Sequence, residues 1–319
     1  MRWVLPPGAT EPLGVLVERL GAQVALAEGR VFVDGRRAPD ALHVVTAGNV
    51  VEVHPARVPS ADFAILAEHS GLVFVSKPPG VATEPDHAGV AASLVERVAE
   101  RLGLPPGALH AVSRLDVGVS GVVTLARDDR GRALAADLRA RGGFRRRYVA
   151  LAPRAPEPAS GTWSWALPRS LRGAHGRGPA TASDERAART RYAAVAEGAP
   201  VHLPVRGAAP IAARPALLAL SPITGRTHQL RLHAERAGTP LLGDTEHGGV
   251  PRLILASGGV LALDRVLLHA ASVELAQKSA PFRVEAEVPA DLSALWAKVG
   301  GAPDAWQAAL EIALSDDQG

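Results

Sequence analysis

Apolar residues fall at Leu13, Leu16, Val17 and Leu20 in EPLGVLVERLG. Steps of three and four predict an amphipathic helix closed by Gly21. RVFVDG then reads as a short strand with a DG turn at Asp34–Gly35, and AGNVVEVHP as a second strand. Beyond Pro55 and Pro59, ILAEHSGLVFVSKPPGV predicts strand, turn, strand and a Pro-Pro-Gly stop. SLVERVAERLG (93–103) predicts a helix, GVVTLA (121–126) a buried strand, GRALAADLRARGG (131–143) a helix and FRRRYVAL (144–151) an alternating strand. Residues 152–180, rich in Pro, Ala, Gly and Arg, read as loop around one strand, TWSWAL. RTRYAAV, ALLALSP, LLHAASVEL and FRVEAEVP read as strands, 227–237 as a helix closed by Gly238, and PDAWQAALEIAL as a last helix. Strands outnumber helices and come in runs, and no internal repeat is evident. That pattern predicts an α+β fold with a mixed, largely antiparallel sheet and flanking helices.

Composition narrows the class. With 319 residues, 47% of them hydrophobic, the chain can bury a sizeable core and is expected to form two domains. The absence of cysteine removes disulfides, zinc–thiolate sites and a cysteine nucleophile. MRWVLPPGATEP lacks the apolar core of a signal peptide, and no run of about 18 uncharged apolar residues suggests a membrane span. A cytoplasmic protein is the expectation. The net charge is only +3, but lysine occurs only at 77, 278 and 298, so arginine supplies the other 32 of 35 basic residues. Arginine favours planar contact with phosphates and stacking on bases. Eight arginines and three aspartates lie between Arg127 and Arg147, a local excess of five positive charges that suggests an anionic partner, most simply a nucleic acid.

The order helix, GRVFVDG, GNVVEV over residues 1–57 resembles the S4-like RNA-binding module, itself a small α/β unit; the rival reading is a plain cap on the next domain. Chemistry gathers further on. In VSRLDVGVSG (112–121), Asp116 stands among Val112, Leu115, Val117 and Val119. A surface turn would have more polar neighbours and a core strand no acid. An acid held in a cleft by a rigid strand end remains. Thirty-two residues on comes RRRYVAL with Tyr148, and then SPITGRTHQLRLHAERAGTPLLGDTEHGG with Arg226, His228 and Arg231.

These segments, with HSGLVFVSKPPGVATEPD before them, resemble in order the RluA-type RNA pseudouridine synthase family. The likeness runs from about 62 to 290, and GRTHQLRLHAERAGTPLLGD is its most specific part. It implies a catalytic domain over 61–300, followed by a C-terminal helix and tail at 301–319. It also implies isomerisation of uridine to pseudouridine in RNA, ribosomal RNA favoured over transfer RNA. No cofactor and no metal are expected, and a monomer is. The family's catalytic Asp maps onto Asp116, its Tyr onto Tyr148 and its basic partner for the acid onto Arg231. Arg226 is the rival for that last place. Asp116 would act as nucleophile or as base near C1′, C2′ or C6, on a uridine extruded from its stack. Tyr148 would offer the uracil an aromatic face. Arg114 would fill the vacated stack or grip a phosphate. Arg145, Arg146 and Arg147 would supply phosphate contacts. Arg226 and His228 complete the expected substrate-binding set, and Gly118 and Gly121 would let backbone approach the nucleotide closely.

The chain departs from the family pattern at several positions. Ser76 stands for Asn, Ser113 for His, Val119 for Thr, Arg146 for Lys and His247 for Tyr. A second class is therefore carried forward, an RNA-binding or ribosome-assembly factor on the same fold that has lost turnover. A third, a hydrolase using Asp116 and Asp244 as a carboxylate pair, needs the two acids on facing walls. Otherwise Asp244 reads as a turn cap, Lys77 as a residue shaping a strand end, and His228 and His233 as a poorly spaced metal pair.

Overall fold

The computed structural model of the chain describes residues 2–27, 31–34, 36–38, 40–53, 62–85, 92–168, 185–205, 208–277 and 280–314. Pro55 and Pro59, Gly35 of the DG turn and much of the expected 152–180 loop lie outside them. Contacts divide the chain into two compact units. One comprises residues 1–61 and 80–107, the other 62–79 and 108–319.

In the first unit the expected helix is Leu13–Arg19, and Leu13, Leu16 and Val17 are its buried positions. Strands Arg2–Val4, Val50–Val53, Val31–Val33 and Arg36–Arg37 form, in that order, an antiparallel sheet. Leu5, Val31, Val33, Val45 and Val51 join the helix in one core. Asp34, at the DG turn, has φ +49°, the left-handed conformation that turn demands. The 93–103 helix is Leu94–Arg101, where Ser93 and Glu96 make a reciprocal capping box.

The second unit is built on a sheet whose main path uses eight strands. In chain order these are β1 (Ala64–His69), β2 (Leu72–Lys77), β3 (Ser120–Ala126), β4 (Phe144–Ala152), β5 (Ser160–Pro168), β6 (Glu185–Glu197), β7 (Ala216–Pro222) and β8 (Leu268–Leu275). Their spatial order is β5-β6-β7-β4-β8-β3-β2-β1. Along this path only β3 and β8 pair parallel, at Ser120–His269 and Gly121–Ala270. Every residue of β3 and β4's run from Tyr148 to Ala152 are buried, as continuous apolar runs in a sheet covered on both faces should be. Helix α1 (Asp129–Ala140) packs Ala135 and Leu138 with Phe74, Val122 and Phe144. Another cluster joins Val149, Leu151, Leu217 and Ala219 to Trp296 of α3 (Ala290–Lys298) and to Ala305 and Ala309 of α4 (Ala305–Glu311). Between β7 and β8 lies α2 (Gln229–Arg236), the expected 227–237 helix.

A second four-stranded sheet, of Ala208–Ala213, Val201–Val205, Arg252–Leu255 and Val260–Ala262, has no counterpart in the sequence pattern. Gly121 has φ +116°, and a Cβ there would sit 2.2 Å from the carbonyl oxygen of Ala270. A glycine there serves the close parallel approach of β3 and β8. Gly118 has Val266 and Arg265 as nearest neighbours.

Candidate active site

The site begins with the loop carrying Asp116 into β3. Val119 N–H closes a turn on the Asp116 carbonyl at 3.0 Å. The buried Ser113 hydroxyl accepts from Thr124 N–H of β3 at 2.9 Å. Three basic side chains grip the loop's carbonyls. Lys77 Nζ donates to Val117 O at 3.3 Å, Arg265 Nη1 to Gly118 O at 3.2 Å, and Arg139 of α1 to Val112 O. Arg265 is itself fixed by Asp291 through bonds of 2.6 and 3.0 Å. Leu115 and Val119 are buried beneath, so the loop is tied from below while the Asp116 side chain stays 31% exposed.

Arg231 is the acid's partner. It projects from α2 at 7% exposure and donates from Nη1 to Asp116 Oδ2 at 3.0 Å. Its other edge is held by the fully buried Asp244, Nε to Oδ2 at 2.7 Å and Nη2 to Oδ1 at 2.6 Å. Nη2 also reaches Glu246 Oε2 at 2.8 Å. Burial alone would lower the guanidinium's pKa, but Asp244, then Glu246 and Asp116, reverse this and raise it, so the charge is permanent. Asp244 corrects two expectations. Its carboxylate does not cap the turn after it; it is fully buried and bound through both oxygens to Arg231, so it does not present a free acid opposite Asp116 as a hydrolytic pair requires.

The αL backbone of His228 (φ +51°), at the N-terminus of α2, presents its imidazole to the same acid. Nε2 lies 3.7 Å from Asp116 Oδ2, and Nδ1 lies 2.8 Å from His247 Nε2 and 3.1 Å from Arg231 Nη1. The turn before α2 is pinned by the buried Gln229. Its amide accepts from Thr224 Oγ1 at 2.7 Å and Arg226 N–H at 3.0 Å, and donates to Arg189 O and Thr190 Oγ1. Tyr148, buried on β4 beside a bulge, has its phenol pKa raised by burial, with Arg146 opposing and Asp116 adding to the shift. It is therefore within electrostatic reach of the acid.

Arg226, Arg145 and Arg147 take their bonds away from Asp116. Arg226 donates to Ala187 O at 3.4 Å. Arg145 pairs with Glu274 at 3.2 Å. Arg146 bonds Thr224 O at 2.9 Å and also acts on the Tyr148 phenol, whereas Arg147 bonds Ile312 O at 2.8 Å. Other arginines of the basic run meet local acids, Arg127 with Glu68, Arg132 with Asp129 and Arg141 with Asp137. Arg114 is exposed on the loop itself.

Sequence reasoning passed over four members. Asp244 was the acid of LLGD, read as a cap, and Arg265 carried no motif. Glu246 and His247 lie in TEHGG, where His247 was noted only as a departure. Ligand atoms of His228, Glu246 and His247 lie within 4.8 Å of one another, a spacing a cation could use, but Arg231 already bonds two of the three. His233 stacks edge-on to Trp163 and Trp165 in the protein interior.

An ion-paired aspartate stands on a strand-end loop of a mixed sheet that also carries a buried tyrosine. The chain belongs to the RNA pseudouridylate synthase family, which matches residues 71–236. An uncharacterised RNA pseudouridine synthase of Mycobacterium bovis is 30% identical over 86% of this chain and 88% of its own length. The ribosomal large subunit pseudouridine synthase C of Vibrio parahaemolyticus is 41% identical over 23% of this chain and 22% of its own. The structure of human RNA pseudouridylate synthase domain containing 1 superposes with a TM-score of 0.55 over 81% of this chain and 99% of that one, at 21% identity, and so shares the fold.

Proposed function

We propose that this chain isomerises uridine to pseudouridine in structured RNA, with Asp116 as the catalytic carboxylate. The bond from N1 to C1′ breaks, one from C5 to C1′ forms, C5 gives up a proton and N1 gains one. Nothing is oxidised or reduced, so the reaction asks for positioning and proton transfer.

The observation that carries the reading is the Asp116–Arg231 pair, locked from behind by Asp244. A carboxylate whose rotamer is fixed by a permanent cation is preorganised for attack or proton abstraction. A uridine extruded from its stack would meet Asp116 with Tyr148 beside the base and Arg114 at the rim. The Ser113 hydroxyl ties the loop to β3, and Val119 is core.

Ribosomal RNA is the favoured substrate, consistent with the relative named for the large ribosomal subunit. Residues 1–57 would add an S4-like RNA contact, and Arg145, Arg146 and Arg147 a diffuse positive field. No helix among the described residues is long and apolar enough to cross a membrane; a cytoplasmic monomer remains part of the proposal. The test is tritium release from C5-tritiated RNA, with pseudouridines mapped in cells with and without the gene. An active wild type with a dead Asp116→Asn supports the enzyme. Equal silence in both, with RNA binding retained, supports the RNA-binding factor instead.

A further inference from the structure

Two imidazoles stand in series behind Asp116, and holding the acid requires neither. His228 Nε2 is 3.7 Å from Asp116 Oδ2, His228 Nδ1 is 2.8 Å from His247 Nε2, and His247 Nδ1 is 3.7 Å from Glu235 Oε2. The His247 side chain is 8% exposed and that of Glu235 45%, so the series runs from the reacting acid to solvent.

From this geometry, and resting on the function proposed above, we propose that His228 transfers the protons of the isomerisation and that His247 and Glu235 connect it to solvent. Arg231 sets the direction of the series. A guanidinium can only donate, so His228 Nδ1, 3.1 Å from Nη1, carries its lone pair and its proton rests on Nε2, facing Asp116. The groups facing His228 are Asp116 from the loop, Arg231 from α2, and Glu246 and His247 from the turn Thr245–His247. Burial lowers its pKa most. Asp116 and Glu246 oppose that, while Arg231 and His247 reinforce it, and the net shift is downward. The ring is thus neutral near pH 7.

The atoms balance around one carrier. N1 before the rearrangement and C5 after it each bond C1′, so a single imidazole beside Asp116 serves both. When the N1–C1′ bond breaks, Nε2–H gives its proton to N1, Arg231 Nη1 releases Nδ1 while keeping its bond to Asp116, and Nδ1 takes a proton from His247 Nε2, which Glu235 and solvent replace. Once C5–C1′ has formed, the C5 proton goes to the vacated lone pair on Nε2, and the surplus proton leaves by His247. The uracil loses one proton and gains one, and the protein returns to its starting state.

The test compares wild type with His228→Asn, since asparagine tolerates the left-handed backbone of that position, and with His247→Phe, which keeps a ring. Each is assayed by kcat, KM, a pH profile and the isotope effect of deuterium at C5. Expected are a fall in kcat of about 100-fold for His228→Asn and about tenfold for His247→Phe, with KM little changed. The C5 isotope effect should rise by about twofold or more in both as removal of that proton becomes limiting. A His228→Asn enzyme with near wild-type kcat, or with reduced kcat but an unchanged isotope effect and pH profile, overturns the relay. If His228→Asn fails to fold, His247→Phe decides by the same readouts. A wild type silent on every RNA overturns the functional reading and the relay together, whereas an active wild type with unaffected histidine variants overturns the relay alone.

Discussion

Replacing Asp244 by asparagine removes one negative charge with almost no change of shape. The residue is 1% exposed and both of its oxygens take bonds from Arg231. Asparagine can accept one of those bonds, but its NH2 group would then face the other N–H, donor against donor. A charge-assisted bond contributes about 1.5–3 kcal/mol, and breaking a buried ion pair costs about 3–5 kcal/mol. Asp116 and Glu246 still offset the Arg231 charge, so the loss should fall below the upper bound, at about 2–4 kcal/mol. Urea unfolding followed by circular dichroism reads this directly. Asp244→Asn, Arg231→Gln and the double variant form a cycle whose coupling should exceed about 1.5 kcal/mol. Freed from one wall, the guanidinium would drift from Asp116, and a misplacement of about 1 Å costs about 100-fold in rate. Glu246→Gln is the control. It bonds the same guanidinium from a side chain 41% exposed and should cost less than about 1 kcal/mol. Asp244→Asn with wild-type stability and kcat, or a Glu246→Gln equally damaging, would refute the view that Asp244 is the fixed point of the site.

Lys77 gives a pH test. Burial pushes its pKa down to about 7 from an unfolded value of 10.5, with Asp116 opposing and Arg265 adding to the fall. Between those two values the unfolded chain binds a proton that the folded chain has released, so stability rises with pH by up to about 1.4 kcal/mol per unit. Lys77→Met should flatten that rise in unfolding curves collected from pH 7 to 10; a slope that persists contradicts the burial argument. Gly121→Ala should lower the melting temperature sharply or abolish soluble expression, because the added Cβ meets Ala270 O at 2.2 Å; a variant that melts with wild type would show that β3 and β8 can part. Arg145, Arg146 and Arg147 changed together to Ala should weaken RNA binding and flatten its dependence on salt, as read by filter binding. Because Arg146 and Arg147 bond backbone, the triple variant should also lose about 1–3 kcal/mol of stability, whereas Arg145→Ala should lose almost none.

Much of the architecture was legible because its elements carry strong periods or caps. The Leu13, Leu16, Val17 stripe, the Ser93–Glu96 box and the apolar run of β3 each specify one structure locally. The sheet of Val201–Val205, Ala208–Ala213, Arg252–Leu255 and Val260–Ala262 was not legible. Ala208–Ala213 is almost wholly exposed and alanine-rich, so it shows no alternation, and its pairing is decided by neighbours distant in sequence.

The site divides along the same line. Asp116 and Arg231 announce themselves through motif, but what makes them a unit is long-range charge bookkeeping that no short stretch displays. Asp244 looks like any acid before a turn until the fold sets it behind a guanidinium 13 residues back. Arg265 looks like any arginine until its N–H meets a loop carbonyl 147 residues away. His247, legible only as a mismatch, gains meaning from one contact of 2.8 Å with His228. The residues that do chemistry can be conspicuous in sequence because the reaction restricts their type. Those that hold them are restricted by geometry alone, so any side chain of the right charge and reach will serve, and only the folded chain shows which was used.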